Sequence, residues 1–191
     1  MEIAELMKAG KQVIYIDESQ FHKQLVCERV WVRRDMQIAK PDGRGRGVSV
    51  IGAISEKQGL VHYHVLPSTN NSLTFSLFIS ELVKKIKGEA YVYMDNFSVH
   101  TSTLVKSHFN DRIQQRFLPA YSCTLNPIEK LWMVAKHRWK KLMIEKPDLI
   151  KNDDDLVREV KNLIESVKPQ CSSLASCHIQ HMVRSLRGVF V

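Results

Sequence analysis

Two short stretches of this chain each carry a strand-like apolar run into a lone acid. "VIYIDES" leads Val13, Ile14, Tyr15 and Ile16 into Asp17, and "YVYMDNFSVH" (91–100) ends its run on Asp95. A single Asp after a strand is an ordinary turn residue. Two such acids at the ends of neighbouring strands call for a common reason, because paired carboxylates repel unless a cation binds between them. The pair therefore predicts a divalent metal site, and oxygen ligands suit Mg²⁺ or Mn²⁺. Glu129, in the first turn of a helix read over 127–143, is the best third carboxylate. A Glu there also complements the helix dipole and can close a capping box, which is compatible with metal binding. The core stripe of that helix is Ile128, Leu131, Trp132, Ala135, Trp139 and Leu142, and Glu129, Met133, Lys136 and Lys140 follow an adjacent face. One face thus offers an acid for metal and lysines for phosphates. Glu18 sits beside Asp17, but on a strand it points to the other side.

These acids need elements to hold them. Residues 2–9 have Ile3, Leu6 and Met7 at helical spacing, ahead of the 13–16 strand. Residues 26–34 ("VCERVWVRR") alternate with period 2, the mark of a half-exposed strand, and "PDGRGRG" breaks the pattern as a loop. "VSVIGAIS" and "GLVHYHVL" form a hairpin. A helix follows from Asn70, with Leu73, Leu77, Phe78, Leu82, Val83 and Ile86 as its stripe and Gly88 as its stop. The run into Asp95, a helix over 98–109, a strand in "RIQQRFLP", the 127–143 helix and a last helix after Asn152 complete the chain. Asn126 is placed to cap the 127–143 helix, with Pro127 at its first position. Counting the 13–16 strand and the hairpin as the first three strands, with the 26–34 run outside the count, the order β-β-β-α-β-α-β-α-α describes an α/β fold, a mixed five-stranded sheet whose first three strands are antiparallel, surrounded by helices. In such a sheet the first and fourth strands lie side by side, which makes Asp17 and Asp95 neighbours.

"YIDES", "MDNFSVH" and "LPAYSCTLNPIEKLW", in this order over about residues 11–143, resemble the catalytic domain of mariner-like and related insertion-sequence transposases. This is the DDE superfamily, built on a ribonuclease H-like fold. "LNPIEKLW" after an aromatic-containing loop is the most specific part, with a His five residues beyond the strand-ending Asp and 33 residues between Asp95 and Glu129. The resemblance implies that Asp17, Asp95 and Glu129 are the catalytic triad and bind two Mg²⁺ ions, for which Mn²⁺ can substitute. It implies in-line phosphoryl transfer on double-stranded DNA by a dimer or higher assembly, with Asn96, His100 and Asn126 in supporting places. The sequence departs from the family where Ser122, Cys123 and Thr124 stand in place of Ser-Pro-Asp, and no room for the family's N-terminal helix-turn-helix region exists before Lys11. The expectation is one catalytic domain over 1–191, with a core at about 11–143 and a helical segment over 152–191.

Charge fits an anionic partner. Twenty-eight Lys and Arg against 20 Asp and Glu give a net charge of +8 and a pI near 9.4. Arg44 and Arg46 in "GRGRG", and Lys130, Lys136 and Lys140 on the Glu129 helix, are the expected phosphate contacts. "GRGRG" precedes a strand, so it lacks the helix N-terminus that a phosphate-cradling loop requires. No apolar run approaches the ~20 residues of a membrane helix, and no secretory signal opens the chain, so the expected location is intracellular, at DNA. Four scattered cysteines show no disulfide framework. Cys171, Cys177, His178 and His181 are clustered, but five residues between the cysteines is wide for a zinc knuckle, and the stretch reads as helix. "NDDDL" (152–156) reads as a helix cap rather than a metal cluster. The favoured function is DNA cleavage and 3′-hydroxyl strand transfer. The alternatives are a ribonuclease H-like nuclease without strand transfer and a domesticated, non-catalytic DNA-binding protein.

Overall fold

The computed structural model describes residues 2–23, 47–67, 70–119, 122–146 and 148–188. Five strands, β1 (Gln12–His22), β2 (Gly47–Ser55), β3 (Gly59–Leu66), β4 (Ala90–Met94) and β5 (Ile113–Phe117), form one sheet in the order β3-β2-β1-β4-β5. β1, β2 and β3 pair antiparallel, whereas β4 lies parallel to β1 and β5 parallel to β4. Apolar residues on both faces make the centre of the sheet a two-sided core. Val13 and Tyr15 face a cluster built with α4 (Ile128–Glu145), α5 (Asp153–Val167) and α6 (Cys171–Gly188), which the short α1 (Glu2–Lys8) joins through Ile3 and Leu6. Ile14 and Ile16 face the opposite cluster, with α2 (Ser72–Lys85) and α3 (Thr103–Lys106).

β1 is longer than the sequence suggests. β2 pairs with it from Ile14↔Ser55 to His22↔Gly47, so hydrogen bonds on that side hold the chain extended well past Asp17. On the β4 side the paired register ends at Tyr15↔Tyr93. Asp17 therefore ends a strand only as seen from β4. The expected strand at 26–34 and the loop carrying Arg44 and Arg46 lie outside the described residues.

Three helices differ in detail from expectation. In α2, Asn71 Oδ1 accepts the N–H groups of Leu73 and Thr74, both at 3.0 Å, and Thr74 Oγ1 accepts from Asn71 N–H, which closes a capping box. Its buried face is Phe75, Phe78, Ile79, Leu82 and Ile86, while Leu73 and Leu77 are 71% and 57% exposed. At 3.6 residues per turn those two leucines lie opposite the Phe75–Leu82 stripe, and packing against the sheet chose between two apolar faces. The helix expected over 98–109 is only Thr103–Lys106, because 98–102 form turns that bring His100 back onto the end of β4. In α4, Met143 rather than Leu142 closes the buried stripe.

α5 is capped as "NDDDL" suggests, with Asn152 Oδ1 accepting from Asp155 N–H at 2.8 Å. The 171–181 stretch lies in α6, where Cys171 is buried and Cys177 exposed.

Candidate active site

Asp17 and Asp95 lie just beyond the carboxyl end of the paired β1–β4 register. Asp17 stands two residues beyond Tyr15 and Asp95 two beyond Tyr93, the last pair of the parallel register, so the two acids sit at equivalent steps of neighbouring strands, although their oxygens and those of Glu129 are not gathered into a metal-ligand group among the described residues. Their surroundings differ. Asp17 lies on the α4 side, and Trp132 Nε1 donates to its Oδ2 at 3.0 Å. Burial pushes its carboxyl up to about 7, with the charges of Glu18 and Glu129 adding to the effect and the Glu18 N–H and Trp132 opposing it.

Asp95 leaves the end of β4 with its side chain 61% exposed. Its Oδ1 accepts from Phe97 N–H at 3.1 Å, a local turn bond, and lies 2.7 Å from His100 Nδ1.

Glu129 reaches the site because α4 is fastened to β1 at two points. Asn126 is buried, its Nδ2 donates to the Ile16 carbonyl at 3.1 Å, and its Oδ1 accepts from Ile128 N–H at 3.3 Å. α4 begins one residue later than expected, with Pro127 at the cap position, and Asn126 ties the helix start to the residue before Asp17. One turn on, the Trp132 indole forms the second attachment. It fits because the register partner of Asp17 on β2 is Gly52, which has no side chain: a Cβ there would meet Trp132 Cη2 at 2.9 Å. The pattern assigned Trp132 to packing alone, and its bond to Asp17 and the need for Gly52 appear only once α4 lies on the sheet.

On the other face, Glu18 is turned away from Asp17, as strand alternation requires. It accepts from Asn70 Nδ2 at 2.7 Å and lies 2.9 Å from His100 Nε2. His100 is 1% exposed, packed against Phe75 with ring centroids 4.3 Å apart and the rings tilted by 33°, and bridges Glu18 and Asp95. Burial alone would lower its pKa, but the carboxylates of Glu18 and Asp95 hold it above the usual histidine value. Asn96 Nδ2 donates weakly to the Leu118 carbonyl at 3.4 Å, across the ends of β4 and β5.

The donor set of Asp17, Asp95 and Glu129 is carboxylate oxygen only. That chemistry fits hard divalent cations, which also offset the burial and the carboxylate repulsion that raise Asp17. Lys130, Lys136 and Lys140 are exposed on α4. The Cys171, Cys177, His178 and His181 stretch makes no metal-ligand group among the described residues, and His178 Nε2 lies 2.8 Å from the Thr124 carbonyl. No described helix is long and apolar enough to cross a membrane.

A family model described as DDE superfamily endonuclease matches residues 12–150. The chain belongs to the DDE superfamily endonucleases. This DDE chain is similar in fold to the catalytic domain of Mos1 mariner transposase, with a TM-score of 0.51, 15% identity, and coverage of 91% of this chain and 88% of that one. A Mos1 mariner paired end complex with Mn matches at TM-score 0.56 and 18% identity over 91% of this chain and 60% of that chain. A simian T-cell lymphotropic virus intasome in complex with PP2A regulatory subunit B56 gamma matches at 0.55 and 11% identity, covering 78% and 47%. The chain spans about 59% of the length of the Mos1 transposase in a paired-end complex with the left transposon end. No curated protein matches the sequence. The fold of this DDE chain is ribonuclease H-like, as its motifs implied.

Proposed function

We propose that the chain is a transposase catalytic domain that cleaves DNA strands at element ends and joins the freed 3′-hydroxyl to target DNA. The observation that carries this reading is the placement of Asp17 and Asp95 at equivalent steps of two parallel neighbours, with α4 fastened over Asp17 so that Glu129 bears on it. Asp17, Asp95 and Glu129 would hold two divalent cations, Mg²⁺ with Mn²⁺ able to substitute, and these supply activation of the attacking oxygen and charge neutralisation at the leaving oxygen. Asp17 is held in place by Trp132, and Asp95 by its own turn and by His100. Lys130, Lys136 and Lys140 carry positive charge along the same helix as Glu129, where they contact backbone phosphates, and Arg44 and Arg46 add to that contact. The chain acts inside the cell on double-stranded DNA, as a dimer or higher assembly in which two element ends meet. Residues 1–191 serve as one catalytic unit.

The test is cleavage and joining of a labelled terminal-repeat duplex with Mg²⁺ or Mn²⁺, comparing the chain with Asp95→Asn. Metal-dependent nicking and a joined product, both lost in the variant, are the expected result. Nicking without joined product would overturn the strand-transfer assignment, and equal activity of the two proteins would overturn the site.

A further inference from the structure

A second group of ligand atoms lies on the edge strand, two strands away from Asp17. His62 and His64 alternate with Tyr63 on β3, so both imidazoles face α2, and Glu81 comes down from that helix between them. Glu81 Oε2 is 3.2 Å from His62 Nε2 and 3.0 Å from His64 Nε2, and the three ligand atoms lie within 4.8 Å of one another. With metal–ligand bonds of about 2.0 Å, neighbouring ligand atoms on a tetrahedral zinc are about 3.3 Å apart, so the two His–Glu separations already match.

A second observation concerns the deeper ligand. His62 is 7% exposed, and its buried Nε2 makes no aligned hydrogen bond among the described residues despite the nearby carboxylate. Phe78 fixes both rings, stacked on His62 at 5.0 Å and edge-on to His64 at 5.4 Å. Lys85 Nζ lies 2.6 Å from His62 Nδ1. A lysine ammonium donates there, which places the neutral ring's own proton on Nε2.

We propose that His62, His64 and Glu81 form a binding site for a transition-metal dication of the Zn²⁺ class, separate from the acidic site and selective against Mg²⁺. Two imidazoles and one carboxylate favour Zn²⁺ over hard cations and leave a fourth position for water. Binding at His62 Nε2 moves its proton to Nδ1, and the Lys85 ammonium, which is exposed, turns out to solvent. The ion then pins α2 to the edge strand. Lys85 acts as a competitor for the site, a prediction that a simple histidine–carboxylate pair would not make.

The experiment titrates the metal-free chain with Co²⁺ and Zn²⁺ in an Asp17→Asn/Asp95→Asn background, which disables the acidic site. It reads the visible absorption of Co²⁺ and the Zn²⁺-dependent rise in Tm. One equivalent of Co²⁺ with the intense bands of a four-coordinate ion is expected, displaced by Zn²⁺ and untouched by excess Mg²⁺. His64→Ala should weaken binding roughly 100-fold or more, since even residues behind the ligands cost 10–100-fold. Glu81→Gln, a mild change on a helix surface, should weaken it too, and Lys85→Met should tighten it several-fold. Binding that is unchanged in both His64→Ala and Glu81→Gln, no Co²⁺ bands and no Tm rise, or tightening absent in Lys85→Met would each overturn the proposal.

Discussion

Trp132 Nε1 donates to Asp17 Oδ2 at 3.0 Å across an interface that a side chain at Gly52 would force to shift. Helix α4, which brings Glu129, is thereby indexed to the same acid that β1 presents. Trp132 is a positioning residue in this arrangement, since it holds Asp17 and not substrate. Trp132→Phe keeps the ring over Gly52 and removes the N–H. A hydrogen bond to a charged group contributes about 1.5–3 kcal/mol, so cleavage should fall by about tenfold or more, with a higher Mg²⁺ requirement. Metal-dependent rates with circular dichroism of the variant check this, and a rate loss without any change in Mg²⁺ dependence would refute the positioning role.

Gly52→Ala probes the same contact from the sheet side. Its Cβ would lie 2.9 Å from Trp132 Cη2, 3.1 Å from Cζ2 and 3.2 Å from Ile128 Cδ1, so the start of α4 must shift. Overpacking of this kind costs about 1–3 kcal/mol. Thermal unfolding should show that loss, and cleavage should drop more than stability does. An unchanged Tm would mean that α4 moves freely on the sheet.

The raised Asp17 carboxyl makes metal-free stability fall with rising pH. The folded chain holds a proton on Asp17 up to about pH 7, whereas an unfolded Asp releases it near 3.8. Stability from this group is full below the unfolded value and is lost as pH climbs through about 7. His100, also raised, acts in the same direction. Without metal, Tm at pH 8 should be lower than at pH 5, and Asp17→Asn should raise it at pH 8 and flatten the slope to the His100 part. Mg²⁺ should raise Tm of the original chain at pH 8 and do little for Asp17→Asn. A pH-independent Tm would remove the argument for a strained carboxylate.

His100 is the link between the acids of the two faces, 2.7 Å from Asp95 Oδ1 and 2.9 Å from Glu18 Oε1. His100→Phe keeps an aromatic ring beside Phe75 and cuts both ties. It leaves Glu18, a largely buried carboxylate, with Asn70 as its remaining named partner, at a cost of about 1–3 kcal/mol. Adding Glu18→Gln should recover part of the stability without restoring cleavage, because Asp95 still lacks its support. If cleavage returns with stability, His100 serves the fold alone.

Much of this was legible in the chain itself. The acids, their order, the hairpin and the amphipathic helix at "LNPIEKLW" follow from local rules: period 2 for strands, period 3.6 for helices, and turn chemistry at their ends. The α2 face was misread because seven apolar residues, Leu73 and Leu77 among them, surround that helix, and periodicity alone cannot rank two apolar sides. The 98–109 segment reads as helix from its pattern because the hold of Glu18 on His100 is a contact between residues 82 apart in the sequence, which no local rule contains.

Sequence alone determined which residues are acidic, that two of them follow apolar strands, and that a third opens an amphipathic helix, because these depend on neighbours along the chain. Tertiary structure decided that Asp17 lies mid-strand beside β2 yet at the edge beside β4, that Gly52 admits Trp132 to Asp17, and that His62, His64 and Glu81 converge. Those outcomes depend on which strands pair and which helix face packs, and only the free energy of the whole core selects among such arrangements.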